Sequence, residues 1–397
     1  MCGIVGYVGP KKSMTTLIDG LKRLEYRGYD SAGVSIMNGK GVETRKAKGK
    51  ISALEQAISA HPIDGNIGIA HTRWATHGPP NEMNAHPHTD CTGTISVVHN
   101  GIIENYGPLR AMLQKTGHKF VSETDTEVLA HLIEAAFNGN LEEAVIDALA
   151  LVEGTYGIAV ISSKDPDKIV AARKGSPLLI GLGDEQGEYY VASDVAAILQ
   201  HTRQVVYLDD GEMAILTRKG YEVCDLDAQT VKKGVSRIDW DLDQIEKGGF
   251  DHFMLKEIFE QTQTIQNTMR GRLVTDEGFS KLGGLNLTKE ELQQLDQIVI
   301  TACGTSWHSA LIGEMMIEEH ARIRCEVEYA SEFRYRNPII TDKTLCVVIS
   351  QSGETADTLA AMREAKRRGA KTLGLVNVVG STIAREDDDL RNAGMRG

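Results

Sequence analysis

The last third of the sequence repeats one pattern, in which a short apolar strand is followed by a turn rich in hydroxyl groups and then by a helix. Apolar runs at residues 297–302, 345–350 and 371–377 predict the strands, and residues 307–319 and 356–368 have the apolar spacing of helices. Strands that alternate with helices form a parallel sheet that the helices cover on both faces. We therefore predict a doubly wound α/β fold for this part of the chain.

Residues 1 to about 240 instead contain many short β-like runs that few helices interrupt. Apolar residues recur at helical spacing only at 13–24, 127–137 and 141–151. Strands in runs with helices between them predict a layered α+β domain with largely antiparallel sheets. The predicted strands lie at 4–8, 33–37, 67–71, 94–99, 157–162, 168–173, 189–193 and 213–217.

The composition changes between these two parts of the chain. An acidic stretch at 239–243 is followed by the pair Gly248-Gly249 and by a helical pattern at 252–269. We interpret this region as a domain junction, and a surface loop followed by one more helix is the alternative. The predicted organisation has three parts: a first domain at 2–240, a linker at 241–265 and a second, parallel-sheet domain at 266–397.

Composition excludes several classes of protein. The formal net charge is −12 and the isoelectric point is about 5.5, which argue against a nucleic-acid partner or an anionic membrane surface. No apolar run approaches the roughly 18 residues of a membrane span, and the N-terminus lacks the pattern of an export signal. The six cysteines are scattered without a CxxC pair, which favours neither a disulfide framework nor a zinc site. We expect a cytoplasmic protein.

A cysteine directly follows the initiator methionine. Methionine is normally removed ahead of so small a side chain, which would place a thiol and a free α-amine together on Cys2. An α-amine has a pKa of roughly 7.7–8.0, so it can accept the thiol proton and later pass it to a leaving amine. Cys2 would then be both nucleophile and base. The alternative is a small apolar residue that opens a buried strand.

Charged residues in two other segments could hold the two ends of a free amino acid. Arg73 offers a planar fork for a carboxylate, and a surface ion pair is the alternative. Asp125 could hold an ammonium group, although Thr124 and Glu127 also fit a capping box that would leave Asp125 in the first turn of a helix. Arg27 could hold the terminal residue in place, or could be a cation at a helix end.

The pair Asn100-Gly101 could form an oxyanion hole, because a side-chain amide and an unobstructed glycine N–H can both point at a developing negative charge. The alternative is a hairpin turn, for which Asn-Gly is the leading short signal. Together with Cys2, Arg73 and Asp125 this pair describes glutamine hydrolysis through a γ-glutamyl thioester. We expect no metal, because the pairs His71/His77 and His86/His88 lack helical spacing with an acid between the histidines.

The segments 1–6, 24–33, 71–78, 99–105 and 122–127 resemble the glutaminase domain of the glucosamine-6-phosphate synthase family. The resemblance implies an Ntn-hydrolase fold, a four-layer αββα sandwich, for the first domain. It further implies that Thr76 and His77 help to seat the glutamine and that Trp74 gates the passage of ammonia.

Two turns in the second domain carry hydroxyl groups at the start of a predicted helix, where free backbone N–H groups can bind an anion without net positive charge. Ordinary N-capping is the alternative. The segments 303–306, 330–336 and 350–355 resemble the first sugar-isomerase (SIS) domain of the same family, and 247–261 resembles its junction. The expected sugar-phosphate-binding residues are Thr305, Ser306, Ser350, Gln351, Ser352 and Thr355.

Members of this family transfer the amide nitrogen of glutamine to fructose 6-phosphate, without a metal, nucleotide or pyridoxal cofactor, and the bacterial members are homodimers. They carry a second SIS domain, whereas this chain is expected to stop inside an incomplete first one, as a truncated product or fragment. We therefore expect at most the glutamine-hydrolysing half-reaction. The alternatives are a stand-alone glutaminase, a non-catalytic sugar-phosphate-binding regulator, and another amidotransferase with a terminal cysteine, of the phosphoribosyl or asparagine type.

Overall fold

The computed structural model describes residues 2–25, 28–75, 77–185, 187–238, 249–274, 278–280, 282, 285, 287–378 and 381–387. The chain divides into two units, Met1–Glu246 and Lys247–Gly397. Within the described residues, no helix combines the length and the apolar character that crossing a membrane requires.

The first unit contains two antiparallel sheets and five α-helices among its described residues. In chain order its elements are β1 (Gly3–Val8), α1 (Ser13–Leu24), β2 (Ser31–Asn38), β3 (Gly41–Lys48), α2 (Ile51–Ala60), β4 (Ile67–Arg73), β5 (His88–Thr89), β6 (Ile95–Ile103), α3 (Tyr106–Lys115), α4 (Glu127–Ala136), α5 (Leu141–Leu149), β7 (Gly154–Ser162), β8 (Lys168–Lys174), β9 (Leu179–Leu182), β10 (Tyr189–Ala192), β11 (Gln204–Tyr207), β12 (Glu212–Thr217), β13 (Gly220–Asp225) and β14 (Ser236–Arg237).

The two sheets are built from different parts of the chain. The eight-stranded sheet has the order β14-β11-β9-β10-β1-β4-β2-β3, so β1 lies in its middle, between β10 and β4. The six-stranded sheet has the order β13-β12-β8-β7-β6-β5. Strand β4, which carries Arg73, and strand β6, which carries Asn100 and Gly101, therefore belong to different sheets.

Side-chain alternation along the strands separates the layers, because successive residues of a strand point to opposite faces. On β1, Val5 and Tyr7 pack with Leu17 of α1, whereas Ile4 and Val8 pack into the core between the two sheets. Helices α3, α4 and α5 cover the outer face of the six-stranded sheet through a third buried cluster. The resulting order of helix, sheet, sheet and helix confirms the predicted αββα Ntn-hydrolase fold.

The second unit is built around a parallel sheet of four strands in the order β18-β17-β19-β20. This arrangement confirms the predicted α/β fold. The elements of this unit are α6 (Phe253–Met269), β15 (Leu273–Val274), β16 (Phe279–Ser280), α7 (Lys289–Gln293), β17 (Gln297–Ala302), α8 (Gly304–Ala321), β18 (Arg324–Tyr329), α9 (Ala330–Tyr335), β19 (Thr344–Ser350), α10 (Ala356–Arg367), β20 (Lys371–Val376) and α11 (Thr382–Glu386).

Candidate active site

Cys2 lies at the start of β1, where the pairing of Gly3 with Thr72 brings it beside the end of β4. The backbone N–H of Trp74 donates to Cys2 Sγ over 3.2 Å, and the thiol lies 3.6 Å from the Trp74 carbonyl oxygen. A side chain at position 3 would come within 2.8 Å of Leu24, so glycine is needed to let the strand start this close to α1. A small apolar residue that only opens a buried strand, which was the alternative for Cys2, would need no such hydrogen bond at its side chain.

The ionisation of the Cys2 thiol is held back by its surroundings. Burial raises the pKa of Cys2 above its ordinary value, and the Trp74 N–H and the charge of Arg73 lower it in part. The net direction is upward, so the thiol is mostly protonated at neutral pH. A neighbouring base is therefore needed for Cys2 to act as a nucleophile.

Asn100 faces Cys2 from the opposite sheet. Its side-chain Nδ2 lies 3.4 Å from the Cys2 carbonyl oxygen, and its Oδ1 lies 3.0 Å from His71 Nε2. Burial lowers the pKa of His71 to about 3, so this imidazole is neutral at pH 7. With its proton on Nε2, His71 donates to Asn100 Oδ1 and thereby turns the amide N–H groups of Asn100 toward Cys2.

From the sequence, His71 was considered only as a metal ligand, and its hydrogen bond to Asn100 was not predicted. The alternation of side chains along the strand could have predicted that His71 points inward, because residues 67, 69, 71 and 73 share one face of β4. Ile67 and Ile69 pack between the two sheets, so His71 and Arg73 continue the same inward row. On β6, Val98 belongs to the same core, which places Asn100 on the inward face as well.

Gly101 occupies a backbone conformation that other residues rarely adopt. Its φ is +135°, and a Cβ built there would lie 2.1 Å from the carbonyl oxygen of Thr155. Strand β6 nevertheless continues past Asn100-Gly101 to Ile103, paired with β7. The hairpin alternative for Asn-Gly is therefore wrong, and the predicted strand at 94–99 was too short.

Arg73 is 3% exposed and reaches into the inter-sheet layer. Its Nη2 donates to the carbonyl oxygens of His77 and Gly78, whereas its buried Nη1 has no hydrogen-bond partner among the described residues. Burial lowers the pKa of Arg73, and the nearby Cys2, Asp30 and Asp125 oppose that shift. The surface ion-pair alternative is wrong, and a buried donor of this kind favours an anionic ligand.

Asp125 is 4% exposed and lies in the segment that precedes α4. Its Oδ2 accepts from the Ile103 N–H over 2.9 Å, and its Oδ1 lies 3.8 Å from His77 Nδ1. The capping-box alternative is wrong, because α4 begins at Glu127 without a side-chain cap and Thr124 Oγ1 instead bonds His88 Nε2 at 3.0 Å.

The loop after β4 surrounds the sulfur on its exposed side. The Trp74 side chain is 44% exposed and meets the Tyr29 ring edge-on, with centroids 5.3 Å apart. Asp30 Oδ2 accepts from the Ala75 N–H over 2.7 Å, which fixes the loop next to Cys2. Asp30 and Tyr29 were missed as supports of the site, and the predicted residues Arg27 and Thr76 lie outside the described residues.

In the second unit, the turn after β19 is held by its own hydroxyl groups. Ser350 Oγ accepts from the Gly353 N–H and lies 3.0 Å from Thr355 Oγ1, and Ser352 Oγ accepts from the Glu354 N–H. The Gln351 side chain is exposed, and α10 begins directly after Thr355.

The turn after β17 meets this turn at the same edge of the sheet. Residues Ala302 and Ile349 pair in the parallel ladder, so the carboxyl ends of β17 and β19 are neighbours. Thr358 Oγ1, in the first turn of α10, lies 3.9 Å from Cys303 Sγ and connects that helix to the turn after β17. Thr305 is exposed and Ser306 half-buried in the first turn of α8, so both hydroxyls lie where a ligand can reach them.

Comparison with known proteins agrees with this division of the chain. The family model described as a glutamine amidotransferase domain matches residues 56–240, and the SIS domain model matches residues 291–390. A solved structure of glutamine phosphoribosylpyrophosphate amidotransferase from B. subtilis covers 94% of this chain and is covered to 81% by it, with a TM-score of 0.51. Its sequence identity of 20% shows a similar fold alone.

Two curated relatives are much closer in sequence. The glutamine–fructose-6-phosphate aminotransferase (isomerizing) of Clostridium tetani is 53% identical over 390 residues, which is 98% of this chain and 64% of the relative. The protein of the same name from Chlorobaculum tepidum is 55% identical over 97% of this chain and 64% of its own length. The chain thus spans 64% of the length of these relatives. By this match along nearly all of its own length, the chain belongs to the glutamine–fructose-6-phosphate aminotransferase (isomerizing) family, the glucosamine-6-phosphate synthases.

Proposed function

We propose that the first unit hydrolyses glutamine, with Cys2 as the nucleophile. The observation that carries this proposal is the convergence, at one end of the inter-sheet layer, of the Cys2 thiol, the Asn100 amide and the buried Nη1 of Arg73, which has no hydrogen-bond partner in the described part of the chain. The first two serve the reacting carbonyl and the third serves the distant carboxylate of the substrate. We take the domain to extend over residues 2–240.

The bond changes follow from these groups. After removal of Met1, the α-amine of Cys2 accepts the thiol proton, and Sγ attacks the γ-carbonyl carbon of glutamine. The Asn100 amide and the Gly101 N–H stabilise the oxyanion that forms. The carbon–nitrogen bond then breaks, and the protonated α-amine returns its proton to the departing ammonia. Water attacks the remaining thioester and releases glutamate together with the free thiol.

The same site would hold the amino-acid end of glutamine. Arg73 binds the α-carboxylate through its Nη1, and Asp125 binds the α-ammonium through its Oδ1, on the side where His77 lies. By resemblance to the family, Thr76 and His77 would help to seat the glutamine, Trp74 would gate the passage of ammonia, and Arg27 would hold the N-terminal residue in place.

The second unit would bind the phosphate of fructose 6-phosphate at the adjoining turns after β17 and β19. Hydroxyl groups and helix N-termini suit a phosphate in a protein whose net charge is −12. The binding residues would be Thr305, Ser306, Ser350, Gln351, Ser352 and Thr355. We assign residues 241–265 to a linker and 266–397 to the first SIS domain.

The function that these parts serve is the reaction of the family, which converts glutamine and fructose 6-phosphate to glutamate and glucosamine 6-phosphate. The residues named here supply the glutamine half-reaction of that conversion. The reaction would run in the cytoplasm without nucleic-acid or membrane partners, and the whole family protein would act as a homodimer.

The experiment measures two products of the purified chain. Glutamate release from glutamine should be present without sugar phosphate, and Cys2→Ala should abolish it, whereas Cys303→Ser is the matched control and should retain it. Mass spectrometry of the N-terminus should show that Met1 is absent. Glutamate release that survives Cys2→Ala would overturn the proposed nucleophile. Formation of glucosamine 6-phosphate when fructose 6-phosphate is added would assign the second half-reaction to the same chain.

A further inference from the structure

Four side chains of the types that bind transition metals meet on the outer face of the first unit. Cys91 lies in the turn between β5 and β6, His118 follows α3, and His131 and Glu134 stand one turn apart on α4. One ligand atom from each lies within 4.8 Å of the others. None of the four is used by the proposed glutamine site.

The distances between these atoms match the edges of a small coordination tetrahedron. Cys91 Sγ lies 3.7 Å from His118 Nδ1 and 3.6 Å from His131 Nδ1. Bonds of about 2.3 Å to sulfur and about 2.0 Å to nitrogen, set at the tetrahedral angle, give a sulfur–nitrogen edge of about 3.5 Å. Glu134 Oε2 lies 2.9 Å from His118 Nδ1 and 3.2 Å from His131 Nδ1, slightly inside the corresponding edge of about 3.3 Å.

The surroundings of the four residues have the contacts that metal ligands usually receive. His131 turns its other nitrogen, Nε2, toward Glu127 Oε1 at 3.6 Å, which is the carboxylate–histidine arrangement of many zinc sites. The Lys119 N–H donates to Cys91 Sγ over 3.5 Å, and the Cys91 N–H donates to Glu134 Oε2 over 3.2 Å. The Phe120 ring packs edge-on against His131 with centroids 4.4 Å apart.

We propose that Cys91, His118, His131 and Glu134 bind one zinc ion at a structural site separate from the site of glutamine hydrolysis. A thiolate, a carboxylate and two neutral imidazoles carry two negative charges, so the complex with Zn²⁺ is neutral. One soft sulfur ligand and two imidazoles favour zinc over magnesium or calcium, which prefer oxygen ligands. Cys91 is exposed, which gives the ion a path to the site.

The site would join three segments that are distant in sequence. It ties the β5–β6 turn and the segment after α3 to helix α4. The link continues through Glu127, whose carboxylate accepts the backbone N–H groups of Val121 and Ser122, both over 2.7 Å. Metal binding should therefore stabilise the first unit, because an ion that binds only the folded state shifts the unfolding equilibrium.

Metal analysis of the untagged full chain tests the site. After stripping with a chelator and reconstitution with zinc, we expect about one zinc per chain, in both the wild type and Cys2→Ala. The variants Cys91→Ser and His118→Gln should bind at least tenfold more weakly. Glu127→Gln should weaken binding about 10–100-fold through its contact with His131. Cobalt(II) in place of zinc should give a sulfur-to-metal charge-transfer band that Cys91→Ser abolishes.

Cys303→Ser and His61→Gln are the matched controls and should bind zinc like the wild type. Circular dichroism should show that Cys91→Ser and His118→Gln are folded, so that lost binding reports on the ligands. Fewer than one zinc per ten chains in the reconstituted wild type would overturn the proposal. Binding that Cys91→Ser leaves unchanged, or that Cys303→Ser removes, would overturn it as well.

Discussion

At the scale of the residue, the proposed oxyanion hole depends on a histidine that touches no reacting atom. Burial keeps the pKa of His71 near 3, so its ring is a neutral donor to Asn100 Oδ1 rather than a cation beside the thiol. A free Asn100 amide could turn its oxygen toward the developing charge, which would repel that charge. His71 is therefore a positioning residue.

The variant His71→Phe tests this role, because phenylalanine keeps an aromatic ring against His86, whose centroid is 4.2 Å away, and removes the donor. We expect kcat for glutamine hydrolysis to fall about five- to tenfold, since one hydrogen bond contributes about 1–1.5 kcal/mol, with KM nearly unchanged. Asn100→Ala should cost about 10²–10³ in kcat. The control His61→Gln should match the wild type. A wild-type kcat in His71→Phe would exclude the positioning role.

At the scale of the element, strand β6 keeps its pairing with β7 through one residue of irregular backbone conformation, Gly101. The backbone of Gly101 has a positive φ, and β6 stays paired with β7 on both sides of this residue. A side chain at this position would collide with the Thr155 carbonyl oxygen, which β7 cannot move without losing its own pairing.

Gly101→Ala should therefore destabilise the protein by about 1–3 kcal/mol, the usual cost of a strained backbone at a non-glycine residue. Gly107→Ala is the matched control, because a Cβ at Gly107 in α3 has no atom within 4 Å. The control should leave stability unchanged or raise it by up to about 1 kcal/mol. Urea unfolding measures both free energies. Equal stability of the two variants would contradict the assigned strain.

Elements with a clear apolar period were predictable from the sequence, and those without one were not. The helix at Ser13–Leu24 and the strand at Gln297–Ala302 have the predicted limits. Strand β3 and the edge strand β18 were missed, because GVETRKAK and RCEVEY carry charged residues on a half-exposed surface. The contacts of His71 and of Cys91 were missed for another reason, since both join segments whose closeness only the sheet pairing and the layer order decide.

At the scale of the whole molecule, the centre of the first unit encloses uncharged histidines. Burial lowers the pKa of each of four histidines below its ordinary value of about 6.5. The four are His71, His86, His88 and His99. The pKa of His131 shifts the other way, because the nearby carboxylates of Glu127 and Glu134 outweigh its burial and raise it.

These shifts predict a loss of stability in mild acid. Groups whose pKa is lowered by folding take up protons only when the chain unfolds, so their contribution is present above pH 6.5 and is lost as the pH falls. Each contributes up to about 1.4 kcal/mol per pH unit, and about 1 kcal/mol between pH 6.5 and pH 5.5, where the unfolded imidazole is only partly protonated. The raised pKa of His131 changes little in this range, because its stabilisation is already present below pH 6.5. The free energy of unfolding should therefore fall by about 4 kcal/mol between pH 6.5 and pH 5.5. Urea unfolding across this range measures the slope, which His88→Asn should reduce by about one proton and His308→Gln, an exposed control in the second unit, should not change. A flat profile would mean that these imidazoles gain protons without leaving the folded core.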